Sequence, residues 1–143
     1  MALLAPNEGE THLLKMLLVH TSGAGTEVSC RLRLFTNDLT PGETTAKGDV
    51  TECTFTGYPA AGIELKRGVT GTDCWSISGD LATYGEEKEF TFTTGGTVYG
   101  YYVTSNETSE GDRKLLWLER FTASANIPSE GGTIKITPKV TLA

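Results

Sequence analysis

From Val28 onwards the chain alternates. Val28, Cys30, Leu32 and Leu34 fall on one face, with Arg31, Arg33 and Phe35 opposite, which is the period of a strand. Similar short runs predict strands near residues 50–56, 62–67, 74–78, 88–94, 97–104, 114–122 and 132–142, about eight in all. Turn chemistry separates them: "TNDLTPGE" after the first, Gly95-Gly96 between the fifth and sixth, and the polar "SNETSEGDR" before the seventh. Two residues of Gly-Gly between strands suit a tight hairpin, because such turns need positive φ. In the last run Ile134, Ile136, Pro138, Val140 and Leu142 share a face, and Pro138, which has no N–H for a ladder, marks an edge or a bulge.

Helical spacing occurs once. Asn7 stands at an N-cap position with Glu10 three residues on, and Leu13, Leu14, Leu17 and Leu18 then form a stripe reaching about His20. The expected fold is mainly β: an antiparallel, jelly-roll-like sandwich of two sheets with one N-terminal α-helix. Residues 1–25 form the arm and helix and residues 26–143 the β domain, a single domain overall by length.

The segment "TVYGYYVT" at 97–104 breaks the half-wet pattern. Tyr99, Tyr101 and Val103 point one way, Val98 and Tyr102 the other, with Gly100 between. A strand apolar on both faces is covered on both. One cover is the second sheet; the other is the helix, a loop or a neighbouring subunit.

Composition narrows the function classes. The chain has 143 residues and a net charge of −6, from 18 acidic and 12 basic residues without a basic cluster. Nucleic-acid binding through a cationic stripe is therefore not expected. The three cysteines lie more than twenty residues apart with no CxxC, so the reading is three buried thiols in a reducing compartment. The opening "MALLAPNEGETHLL" has no basic n-region and breaks at Pro6, so no secretory signal is expected, nor any membrane span.

No catalytic, cofactor or metal site emerges. His12 and His20 lack further ligands at metal spacing, and no GxSxG, HExxH or P-loop pattern is present. "LLWLERF" at 115–121 puts Leu115, Trp117, Glu119 and Phe121 on one face. Glu119, between two aromatics, reads as a buried structural carboxylate paired with Arg31, Arg33 or backbone amides, in preference to a glycosidase acid, for which a facing second carboxylate is needed.

Taken in order, "APNEGETHLLKMLL", "LRLFTNDLTPGE", "DVTECTFTGYPA", "TVYGYYVT", "LLWLERF" and "GGTIKITPKVTLA" resemble a family of small virion structural proteins of tailed bacteriophages, of the head decoration or cement type. The resemblance implies a non-enzymatic β-sandwich on the capsid surface, made in the bacterial cytoplasm. Its expected partners are the major capsid protein and itself, as a homotrimer, with no nucleic acid, membrane or cofactor. Leu3, Leu4, Leu13 and Leu17 of the arm, with Tyr99 and Tyr101 of the doubly apolar strand, are the candidate partner-binding residues. The alternative is a tail or head-fibre domain that binds a host surface glycan.

Overall fold

The computed structural model describes residues 28–66, 73–107 and 109–141. The predicted helix, with Leu3, Leu4, Leu13, Leu17, His12 and His20, lies outside them. Among the described residues nine strands run in order: β1 Val28–Phe35, β2 Ile63–Lys66, β3 Trp75–Ser78, β4 Leu81–Tyr84, β5 Lys88–Phe92, β6 Gly96–Ser105, β7 Leu115–Ile127, β8 Gly132–Ile136 and β9 Lys139–Thr141. They form a four-stranded sheet in the order β2-β1-β6-β7, a three-stranded sheet β3-β4-β9, and the pair β5-β8. The β1·β6, β6·β7, β3·β4 and β4·β9 ladders are antiparallel, so the protein is mainly β and antiparallel.

The chain divides into two compact units, each assembled from separated segments. One comprises residues 30–64 and 89–135. The other comprises, among the described residues, 28–29, 65–66, 73–88 and 136–141.

In the first unit β6 is central, flanked by β1 and β7, and it is buried along both faces as its sequence predicts. Leu32 and Leu34 stand opposite Val103 and Tyr101, and all four are 0–4% exposed. On the reverse face Arg33 stands opposite Tyr102 and Phe35 opposite Gly100. That face is covered by the chain's own segment 52–62, from which Glu52, Ala60 and Ala61 all bond to Arg33. Gly100 is required there: a Cβ would lie 2.1 Å from the Glu119 carbonyl oxygen and 2.6 Å from the Phe35 ring.

Four expectations are corrected. Residues 50–56 do not form a strand. Their ladder pairing with β1 is limited to the isolated bridge Phe35–Glu52, and the chain turns at Gly57 (φ +97°), next to Tyr58, whose hydroxyl accepts from the Leu34 N–H of β1. The hairpin expected at Gly95-Gly96 is absent, since β5 pairs with β8 and β6 with β1 and β7. Those glycines allow close approach instead: a Cβ on Gly95 would meet the Pro128 carbonyl oxygen at 2.1 Å, and one on Gly96 the Phe55 ring at 2.3 Å. The two-residue hairpin is at Gly79-Asp80, joining β3 to β4, a strand the alternation did not single out, with Gly79 at φ +64°. Finally, residues 132–142 form two strands in place of one. The break falls at Thr137-Pro138, and β8 and β9 pair in different sheets.

In the second unit, Asp73 holds the strands' polar ends together. Its Oδ1 accepts from Lys88 Nζ at 2.6 Å and from the Tyr84 hydroxyl at 2.6 Å, while Oδ2 lies 2.9 Å from Lys66 Nζ. Lys88 also sits 5.1 Å from the centre of the Tyr84 ring, which meets Trp75 edge-on at 5.2 Å.

Candidate functional site

The most polar part of the first unit lies beneath β1. Arg33, between Leu32 and Leu34 in the sequence, is 1% exposed. A buried guanidinium is tolerable only with its donors satisfied and a counter-charge in contact. Nε donates to Thr104 Oγ1 at 3.2 Å, Nη1 to Glu52 Oε1 at 2.5 Å and to the Ala60 carbonyl at 3.1 Å, and Nη2 to the Ala61 carbonyl at 2.9 Å. The turn that supplies those carbonyls closes with Gly62 N–H donating to Pro59 O at 2.7 Å, with Gly62 at φ +72°.

Glu52 also accepts from the Tyr58 hydroxyl at 2.9 Å, and that hydroxyl in turn accepts from the Leu34 N–H at 3.3 Å. Burial first, then the Glu52 charge, pushes both Tyr58 and Tyr102 well above the ordinary phenol range, so both remain protonated. Tyr58 stacks on Phe90 at 5.8 Å, and Phe55 meets Phe92 edge-on at 5.7 Å.

Beside this network opens a cavity of about 540 Å3, lined among others by Glu52, Phe55, Tyr58, Glu110 and Arg113. Cys53 also lines it, but at 1% exposure and with its thiol raised by burial it has little thiolate character. Cys30, Cys53 and Cys74 are all buried thiols outside any disulfide. Among the described residues no three His, Cys, Asp or Glu side chains are placed to hold a metal ion, and no helix is long and apolar enough to cross a membrane.

Of the residues singled out from the sequence, Tyr99, Tyr101 and Glu119 lie among the described residues. Tyr101 is 4% exposed and donates its hydroxyl to Glu119 Oε2 at 2.5 Å. Tyr99 is half-buried, with the Arg120 guanidinium 5.7 Å from its ring centre. Glu119 is exposed, not buried, and its partner is Tyr101; Arg31 pairs instead with Glu64 at 3.1 Å and Arg33 with Glu52. The expected common face of Leu115 and Trp117 is also broken. Val103 pairs with Trp117 but Thr104 with Leu115, so Leu116 is an extra residue in a bulge.

That bulge lies in β7, whose 13 residues end the four-stranded sheet. Leu115, Leu116, Trp117, Leu118 and Phe121 are all half-buried, an apolar rim along an edge strand. Sequence reasoning did not assign a role to Glu52, Tyr58 or Arg113. The one available signal was Arg33 itself, a charge between two core leucines that demanded a distant carboxylate.

Comparison with protein-family models, curated proteins and solved structures finds no match.

Proposed function

We propose that this is a non-enzymatic virion structural protein of a tailed bacteriophage, a capsid decoration or cement protein that binds the assembled head and ties capsomers together. The ordered sequence blocks support the family reading. The observation that carries the role is β7: a 13-residue strand at the end of the four-stranded sheet, with five half-buried apolar side chains along it. Such an edge is a template for pairing with another chain, and soluble proteins ordinarily blunt it.

In this reading the fold is a jelly-roll-like sandwich. The pairings of β1 with β6 and of β4 with β9, strands distant in sequence, support it, because crossing connections of this kind characterise such sandwiches. The protein forms a homotrimer on the major capsid protein, with the arm (Leu3, Leu4, Leu13, Leu17) as a contact. Buried thiols outside any disulfide agree with synthesis in a reducing cytoplasm. The deciding experiment adds purified protein to expanded heads that lack it and follows DNA release on heating. Heads that bind it and survive to higher temperature are expected. Failure to bind heads, or equal heat survival with and without it, would overturn cementing.

A second reading, a fibre domain binding a host glycan, is favoured by the aromatic and carboxylate lining of the 540 Å3 cavity, where Phe55 and Tyr58 stand beside Glu52 and Glu110. A glycan array without a hit removes it.

A further inference from the structure

A second, smaller concavity shares Arg113 with the first. It encloses about 170 Å3 and is lined by Arg31, Arg33, Ala61, Asn106, Glu107 and Arg113. The chain has five arginines (Arg31, Arg33, Arg67, Arg113 and Arg120), and three of them line this one pocket in a protein of net charge −6. We propose that it is a binding site for a small oxyanion, a phosphate or carboxylate group. This inference stands independently of the capsid reading.

Within the wall itself, guanidiniums outnumber carboxylates. Arg33's partner Glu52 lines the larger cavity and not this one, and Arg31's partner Glu64 lines neither. Glu107 is the single carboxylate in the wall against three guanidiniums. The Ser105 hydroxyl and its own backbone N–H hold it below the usual carboxylate range.

Arg31 and Asn106 keep donors after their internal bonds are made. Arg31 uses Nε on Asn106 Oδ1 at 2.8 Å and Nη2 on Glu64, which leaves Nη1. Asn106, accepting on Oδ1, keeps its Nδ2 as a further donor. Arg113 is anchored by Nε to the Glu107 carbonyl at 3.1 Å. Arg33, fixed by its bonds to Thr104, Glu52, Ala60 and Ala61, contributes a charge that needs no reordering when an anion arrives. Guanidinium forks match the geometry of carboxylate and phosphate oxygens. The volume is below the roughly 300–1,000 Å3 of pockets for drug-sized molecules, which suits one anionic group and not a whole cofactor.

The test titrates the full chain with inorganic phosphate and, separately, with acetate at constant ionic strength. Binding is read by calorimetry and by amide chemical shifts at Arg31, Ala61 and Asn106. At least one anion is expected to bind saturably. Affinity should fall about tenfold or more in Arg113→Gln, as loss of a charge-assisted contact implies, and rise several-fold in Glu107→Gln. Phosphate alone binding assigns a tetrahedral group, acetate alone a carboxylate, and both a site for either. The proposal is overturned if neither anion saturates, or if a folded Arg31→Gln/Arg113→Gln double variant binds as the parent does. Should that variant not fold, unchanged affinity in Glu107→Gln, a substitution at an exposed residue, overturns it equally.

Discussion

Arg33 and Asp73 show two ways in which single charges are held in this protein. Arg33 is buried, so its charge depends on Glu52. Glu52→Ala strands the guanidinium without a counter-ion and is expected to cost about 3–5 kcal/mol, the range for breaking a buried pair from one side. Urea unfolding of Glu52→Ala beside an Arg33→Met/Glu52→Gln double variant checks this: the double variant should be the more stable of the two. Asp73 is a different case. Burial would raise its carboxyl, but hydrogen bonds from Lys88, Tyr84 and Lys66 outweigh burial and hold it well below the usual range. A depressed folded value means the unfolded state binds the proton first as acid is added. The stabilisation is complete above about pH 4, the ordinary aspartate value, and is lost as pH falls through the folded value. The stability gap between the parent and Asp73→Asn should therefore narrow below about pH 4, measured by urea midpoints across an acid series.

At the level of elements, β6 sets what its neighbours must be. Both faces are buried, so its partners carry core residues, and Gly100 sits where Phe35 lies across the strand. Gly100→Ala places a methyl against the Glu119 carbonyl and the Phe35 ring, and backbone cannot swing aside. A loss at or above the roughly 1–3 kcal/mol of ordinary overpacking is expected. Gly48→Ala, where a Cβ meets nothing within 4 Å, should stay within about 0.5 kcal/mol. Thermal denaturation of the two variants side by side separates a crowded glycine from a merely permissive one. The same contrast explains the misplaced hairpin. Gly95-Gly96 and Gly79-Asp80 both satisfy the local rule for a tight turn, but the first is consumed by contacts with Pro128 and Phe55, residues far away in the chain.

For the whole molecule, the open question of β7 is one of association. A leucine-rich strand at the end of a sheet favours pairing with another chain, and a lysine placed on it opposes pairing. Light scattering across a dilution series should show a mass of three chains for the parent and one for Leu116→Lys, the half-buried bulge residue. A parent that is monomeric at every concentration would remove β7 as a self-contact. The interleaving of the two units belongs to this scale as well: β8 and β9 are separated by two residues yet pair in different sheets. A cut between residues 136 and 139 would thus disturb both units, not trim one.

Alternation by itself determined that this chain is mainly β, that β6 is covered on both faces, and the position of most strands. These are properties of a period of two and of side-chain polarity, which any window of eight residues contains. Tertiary structure alone decided which strands pair, because β1·β6 and β4·β9 join segments more than fifty residues apart. It also decided that Arg33 is inside and Glu119 outside, although both sit among apolar neighbours. The reason is where their partners lie: Glu52 and the Ala60 and Ala61 carbonyls arrive on a turn folded back under β1, and no local pattern encodes that return.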